Sequence, residues 1–146
     1  SYLMEELATG EFKNVIGEID DLKPSDVERV VFCSGKVYYE LLEQRRKNKQ
    51  NNVAIIRIEQ LYPFPEKEFQ EAIKDYQHAK QWVWCQEEPQ NQGAWYCSQH
   101  NFRAAIPSGN YLMYAGRSAS AAPAVGYMAV HVKEQQALVT QALTLD

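Results

Sequence analysis

From residue 28 onward, short apolar runs alternate with segments whose apolar residues recur every three or four positions. The runs have the length of buried strands and lie at 29–33, 53–58, 82–85 and 111–114. The spacing in the other segments is that of amphipathic helices and predicts helices over about 37–49, 66–76, 94–106 and 130–143. The chain therefore alternates strand and helix.

This alternation predicts an α/β fold, because strands joined by helices of about a dozen residues form right-handed crossovers and a mostly parallel sheet. The expected architecture is a three-layer α/β/α sandwich. Residues 1–27 interrupt the rhythm, and we interpret them as a linker containing one antiparallel edge strand within Phe12–Ile19. Residues 28–146 are predicted to form a single α/β domain.

Composition and charge exclude several classes of protein. The chain has 146 residues, 45% of them hydrophobic and 23% charged, and a formal net charge of −4, with both signs mixed along the sequence. These are globular proportions without the broad positive field that nucleic-acid binding requires. No apolar run approaches the roughly 20 residues that cross a bilayer, and the first residues do not resemble a secretory signal. We expect a soluble intracellular protein.

The cysteines and histidines give no pattern of a metal site. Three cysteines, Cys33, Cys85 and Cys97, are widely spaced, and no Cys-x-x-Cys pair occurs. Buried free thiols are expected in place of zinc ligands. The histidines at 78, 100 and 131 are scattered and are predicted to have structural roles.

Polar clusters follow the predicted strands, and the carboxyl ends of parallel strands are where ligands bind in open α/β sheets. The turn Ser34-Gly35-Lys36 opens a helix, so it serves either as a helix cap or as an anion site built from backbone amides and an ammonium. Arg117 is predicted on the same edge, where it could grip an anion together with Lys36.

Glu87 and Glu88 are adjacent in the predicted turn after the third strand. Two carboxylates can divide acid and base roles, but neighbours on an extended chain point in opposite directions. We therefore predict no catalytic pair; one of them caps a helix, pairs with a cation or contacts another domain.

At this stage the residues themselves resemble a known family. The segments that carry the resemblance are VFCSGKVYY at 31–39, RIEQLYPFP at 57–65, WCQEEPQNQGAW at 84–95, YAGR at 114–117, Ala122-Pro123 and His131. Together and in this order they are similar to the C-terminal domain of the thiamine-diphosphate-dependent decarboxylating component of 2-oxoglutarate dehydrogenase. Leu-Tyr-Pro-Phe-Pro alone also occurs in transketolases and other 2-oxo acid dehydrogenases.

The resemblance implies a transketolase C-terminal domain fold, whose mixed sheet has one antiparallel strand, in the C-terminal part of a longer multidomain enzyme. It implies that upstream domains hold thiamine diphosphate and Mg²⁺, while this domain supports a homodimer, contains no catalytic residue and is inactive alone. The chain lacks the Gly-Asp-Gly stretch that opens the family's cofactor motif and therefore looks like a fragment.

The resemblance also implies partners. In the full enzyme 2-oxoglutarate is decarboxylated and the succinyl group passes to the lipoyl succinyltransferase component, a step of the tricarboxylic acid cycle in the bacterial cytoplasm or the mitochondrial matrix, with the bacterial setting favoured. Members of the family bind effectors such as AMP or acetyl-CoA, for which the candidates here are Arg117, Lys36 and Ser34. Candidates for contact with other domains are Glu87, Glu88, Gln92, Trp95 and Tyr62.

Two alternatives stay open at the level of sequence. The chain could be the same domain of a 2-oxoadipate dehydrogenase, since residues that contact substrate are expected upstream. It could also be an independent module that binds a small anion at the strand-end edge. A parent reading frame that extends far upstream through Gly-Asp-Gly would exclude the module.

Overall fold

A five-stranded sheet runs through the part of the chain that the computed structural model describes, which comprises residues 13–117 and 127–146. Its strands are β1 (Val15–Ile16), β2 (Arg29–Cys33), β3 (Val53–Ile58), β4 (Gln81–Pro89) and β5 (Leu112–Arg117). In space they follow the order β1-β3-β2-β4-β5. β1 is antiparallel to β3, and the other neighbours are parallel. The predicted mostly parallel sheet with one antiparallel edge strand is confirmed.

Helices cover both faces of this sheet. They are α1 (Val37–Asn48), α2 (Glu66–Ile73), α3 (Gly93–Ala105) and α4 (Tyr127–Leu143). Helices α2 and α3 pack on one face and α1 and α4 on the other. Crossovers from β2 to β3 and from β3 to β4 run in opposite directions along the sheet, so their helices must lie on opposite faces. The three-layer prediction is thus confirmed.

The two faces of the sheet have different cores. On the side of α2 and α3, Phe32 meets Phe69, Trp84 and Phe102 edge to face, with ring centroids 5.3, 5.6 and 5.4 Å away. Trp84 and Phe102 stack at 4.5 Å. The opposite face has smaller side chains, including Cys33 and Cys85 on neighbouring strands. Aromatic packing therefore holds mainly one side of the domain.

Several boundaries differ from the prediction. β4 continues past Cys85 to Pro89 and β5 continues to Arg117, because Pro89 pairs with Arg117 beyond an irregularity in the register. Residues predicted as turns, Gln86–Pro89 and Gly116-Arg117, are thus strand residues. The edge strand is only two residues long. Phe12 and Ser118–Ser120 lie outside the described residues.

Candidate functional site at the carboxyl edge of the sheet

Arg117, at the end of β5, makes four side-chain hydrogen bonds at this edge. Its Nη1 donates to the Glu87 carbonyl at 2.9 Å and its Nε to Glu134 Oε2 at 3.0 Å. Nη2 donates to Gln135 Oε1 at 2.8 Å and to the His131 carbonyl at 3.4 Å. The side chain is only 8% exposed. Arg117 therefore fastens α4 to β4 and β5, and each of its three nitrogens already donates a hydrogen bond.

The network continues through Gln135. Its Nε2 donates to Glu40 Oε2 at 2.7 Å and to Glu87 Oε1 at 2.6 Å, which connects α4 with α1 and β4. Three carboxylates, those of Glu40, Glu87 and Glu134, thus belong to a network with one guanidinium. An anion reaching Arg117 would have to displace Glu134 and meet the other two carboxylates.

The turn before α1 does not make the predicted cap. α1 begins after Lys36 without a hydrogen bond from a capping side chain, and its first backbone bond runs from the Tyr38 N–H to the Gly35 carbonyl at 3.3 Å. Lys36 is exposed and Ser34 is half-buried. Within 13–117 and 127–146, no hydrogen bond or ion pair connects either side chain to Arg117. The effector candidates therefore lie on one edge of the sheet, but Lys36 and Ser34 do not contact Arg117 through a hydrogen bond or an ion pair.

Gln86 organises the loop between β4 and α3. Its buried Oε1 accepts the indole N–H of Trp84 and the backbone N–H of Trp95, both at 2.9 Å. Its Nε2 donates to the carbonyls of Glu88, Pro89 and Gln92, at 3.0, 3.0 and 2.9 Å. Because the Trp95 N–H lies in the first turn of α3, Gln86 caps that helix from the neighbouring strand.

Gly93 opens α3 in a conformation that requires glycine. Its φ is +67°, and a Cβ there would lie 2.9 Å from Glu88 Oε2 and 3.3 Å from Gln86 Oε1. Glu88 therefore faces α3, whereas Glu87 faces α4 on the other side of the sheet. The prediction that these two carboxylates do not face each other is confirmed.

The interface candidates fall into two groups. Glu88, Gln92 and Tyr62 are exposed and Glu87 is half-buried. Tyr62 is 61% exposed, and its hydroxyl accepts a hydrogen bond from Ser98 Oγ at 3.1 Å. Trp95 is only 6% exposed and packs on Tyr114 inside the domain. Its assignment to an interface is corrected, because its ring belongs to the core.

Cys33, Cys85 and His78 have defined surroundings in the fold. Cys33 and Cys85 lie side by side on β2 and β4, and burial raises the pKa of the Cys33 thiol and raises the pKa of Cys85 to about 12. Cys97 is exposed, so the prediction of a buried thiol is wrong there. His78 Nε2 lies 3.0 Å from the Val27 carbonyl. Among the described residues no group of three or more acidic, His or Cys side chains could hold a metal.

Sequence reasoning missed the residues that hold this edge together, namely Gln86, Glu40, Glu134 and Gln135. Glu134 and Gln135 were available as polar neighbours on the last predicted helix, one or two turns after the predicted start. Gln86 had a weaker signal, a polar side chain directly after the apolar run Trp82–Cys85. Their contacts span 9 positions between Gln86 and Trp95 and up to 95 positions between Gln135 and Glu40, and they leave no local pattern.

Comparison with known proteins decides the family. A family model described as 2-oxoglutarate dehydrogenase C-terminal matches residues 2–143. The chain belongs to this 2-oxoglutarate dehydrogenase C-terminal family. A 2-oxoglutarate dehydrogenase E1 component from Haemophilus influenzae is 64% identical over 141 residues, which cover 97% of this chain and 15% of the relative. A second E1 component, from Azotobacter vinelandii, is 52% identical over 145 residues, which again cover 97% of this chain and 15% of the relative. The chain thus spans about one-seventh of the relatives that it matches.

Solved structures support the fold of this 2-oxoglutarate dehydrogenase C-terminal domain. A split-gene transketolase, described as an inactive β4 tetramer, superposes with a TM-score of 0.52 at 14% identity, covering 92% of this chain and 43% of that one. A 2-oxoglutarate:ferredoxin oxidoreductase from Magnetococcus marinus has a TM-score of 0.50 at 15% identity, covering 92% and 23%. The predicted transketolase-like α/β fold is therefore confirmed. No helix in the described ranges is long and apolar enough to cross a membrane.

Proposed function

We propose that this chain acts as a non-catalytic C-terminal domain within a 2-oxoglutarate dehydrogenase E1 component. The observation that carries the proposal is the 64% identity along 97% of the chain to a relative of whose length the match covers 15%. The relatives' names favour 2-oxoglutarate over 2-oxoadipate as the substrate of the whole enzyme. The bacterial sources of these relatives favour a bacterial, cytoplasmic enzyme.

The chemistry of such an enzyme belongs to other parts of the longer chain. Thiamine diphosphate with Mg²⁺ supplies the decarboxylation chemistry when bound. Among the described residues of this domain, no group of three or more Asp, Glu, His or Cys side chains could hold Mg²⁺. We therefore assign no step of the reaction to this domain's residues.

The domain's contribution is the surface that it presents to upstream domains, to a second copy in a homodimer and, through the whole enzyme, to the lipoyl succinyltransferase component. Exposed Glu88, Gln92 and Tyr62, with half-buried Glu87, are the residues proposed for these contacts. Gln86 holds the loop between Glu88 and Gln92 in one shape, so the loop loses little conformational entropy on contact.

The test uses the complete E1 enzyme with Tyr62→Ala and Gln92→Ala introduced together. We expect weaker dimerisation in light scattering, and lower 2-oxoglutarate-dependent reduction of an artificial electron acceptor, which reports on E1 alone. A matched control is Lys67→Ala, an exposed change on α2, for which we expect wild-type behaviour. Decarboxylation by the 146-residue chain itself, given thiamine diphosphate and Mg²⁺, would disprove the proposal.

A regulatory role is a second candidate, favoured by the position of a largely buried Arg117 at the edge where Lys36 is exposed. Arg117 is the first candidate for the phosphate of AMP or acetyl-CoA, with Lys36 and Ser34 as further ligands. Because Glu134 competes for the same guanidinium, Glu134→Gln should tighten binding while Arg117→Ala abolishes it. Isothermal titration of AMP and acetyl-CoA measures both effects. If neither compound binds, Arg117 is a structural clamp only.

A further inference from the structure

The edge of the sheet at β3 is only partly covered by another strand. β1 pairs with Ile58 and Arg57 alone, although β3 begins at Val53. Backbone groups of alternate residues point to the same side of a strand, so those of Val53 and Ile55 point to the same edge as Arg57. An edge with free backbone groups is a template on which a strand from another chain can pair.

Two of the uncovered groups, one on Ile55 and one on Val53, are bonded by a pair of charged side chains. Glu18 Oε1 accepts the Ile55 N–H at 2.7 Å, and Arg45 Nη1 donates to the Val53 carbonyl at 2.9 Å. Glu18 and Arg45 also bind each other, with Arg45 Nη2 at 2.6 Å from Glu18 Oε2. The Glu18 carboxylate and the Arg45 guanidinium thus make hydrogen bonds to β3 that the backbone of a longer β1 would otherwise make.

This pair is buried and held from both sides. The side chains of Arg45 and Glu18 are 1% and 4% exposed. Arg45 comes from α1, whereas Glu18 follows β1. Asp20 completes the set: its N–H donates to Glu18 Oε2 at 2.9 Å, and its Oδ2 accepts from Arg45 Nη2 at 2.8 Å. Each carboxylate oxygen of Glu18 therefore has more than one donor.

The attraction between the two buried charges is by itself a weak source of stability. Taking two charges out of water is costly, and a buried ion pair is often no better for stability than apolar residues of the same size. An apolar pair would, however, leave the Ile55 N–H and the Val53 carbonyl without partners and the edge free to accept a strand. Charged side chains directed at an edge are a known means of preventing strand addition.

We propose that the Glu18–Arg45 pair is an edge block, which takes the place of the missing residues of β1 and prevents a second copy of the chain from adding a strand to β3. This edge block is inferred from the contact of the two side chains with the β3 backbone. It does not depend on the proposed function of the chain. Its predicted consequence is that the β3 edge contributes nothing to self-association in the wild-type chain.

The decisive variant replaces both charges by apolar side chains of similar length, Glu18→Leu with Arg45→Met. We expect circular dichroism of a folded α/β protein, hydrogen exchange at the Ile55 amide that is roughly tenfold faster, and a species larger than wild type at micromolar concentrations. Size-exclusion chromatography with light scattering measures the species. The matched control, Glu71→Gln with Lys74→Met, removes an exposed ion pair at the C-terminal end of α2 and should match wild type in all three measurements.

A single substitution distinguishes the effect of bonding the β3 backbone from the effect of the charge on Glu18. It remains informative if the double variant does not fold. Glu18→Gln removes the charge but keeps an oxygen that can accept the Ile55 N–H. We expect Ile55 to stay protected from exchange and the chain to keep its wild-type size. The proposal is overturned if a folded double variant keeps both wild-type size and wild-type exchange at Ile55. Loss of Ile55 protection in folded Glu18→Gln overturns it as well.

Discussion

Arg117 Nε lies 3.0 Å from Glu134 Oε2, an ion pair that fastens the last residue of β5 to α4. Loss of the guanidinium leaves the Glu87 and His131 carbonyls and the Gln135 amide without their donor. We expect Arg117→Ala to lower the free energy of unfolding by about 1–3 kcal/mol, less than for a fully buried pair because Glu134 is partly exposed.

Urea unfolding measures this effect. Lys74→Ala is the control, since its ion pair with Glu71 is exposed and its removal should leave the midpoint unchanged. A midpoint for Arg117→Ala equal to that of wild type would mean that the network at the sheet edge does not contribute to stability.

Substitution of Gln86 should lower the free energy of unfolding more than substitution of most polar residues does. Gln86→Leu leaves the Trp84 indole N–H and the Trp95 N–H without their acceptor, and removes a donor from three carbonyls. The expected cost is about 2–4 kcal/mol, the sum of a few unpaired buried groups. Thermal or urea unfolding tests it, with exposed Gln90→Leu as the control. Equal stability of the two variants would contradict the capping role of Gln86.

Asp20 should make the free energy of unfolding depend on pH in the acidic range. Hydrogen bonding to Arg46, with a further contribution from Arg45, lowers the pKa of Asp20 from 3.8 to about 2 despite the opposing effect of burial. Because the folded pKa is the lower one, the stabilisation is present above about pH 4 and is lost as the pH falls through about 2.

Asp20→Asn tests this dependence in urea unfolding at a series of pH values. The difference from wild type should be about 1 kcal/mol above pH 4, after allowance for solvent screening, and should vanish near pH 2. A difference that is constant with pH would show that the carboxylate's charge is not responsible.

The three thiols should differ in reactivity. Cys97 is exposed, whereas Cys33 and Cys85 are buried and have raised pKa values, so they are rarely thiolates in the folded chain. A thiol-specific chromogenic disulfide should titrate one group per folded chain and three after unfolding in urea. Cys97→Ser should remove the fast reaction and leave the slow one. Rapid reaction of two or more thiols in the folded protein would argue against the burial of Cys33 and Cys85 between the sheet and the helices α1 and α4.

The elements that sequence predicted well are those whose signal is local. The apolar runs at 29–33 and 53–58 are β2 and β3 as the structure has them. Their alternation with amphipathic segments is enough to indicate a parallel sheet covered on both faces. The predicted strand at 82–85 falls short of β4, because Gln86–Pro89 are polar and end in proline, and only pairing with β5 keeps them extended.

The sequence predicted where the candidate site lies but not which contacts its side chains make. The rule that strand ends gather functional groups led to Arg117, Glu87 and Lys36, and all three do lie at that edge. What each side chain binds was not predictable, since Arg117 meets α4 and Gln86 meets the α3 N-terminus through contacts fixed by packing. Trp95 shows the same limit, because a tryptophan in a polar loop has no local signal of whether its ring turns inward.

The contacts of Arg117 also link the motions of two elements. Its bonds to the His131 carbonyl, Glu134 and Gln135 join the end of β5 to α4. α4 therefore cannot leave the sheet without breaking these bonds, so opening of this helix should loosen the end of β5 in the same event.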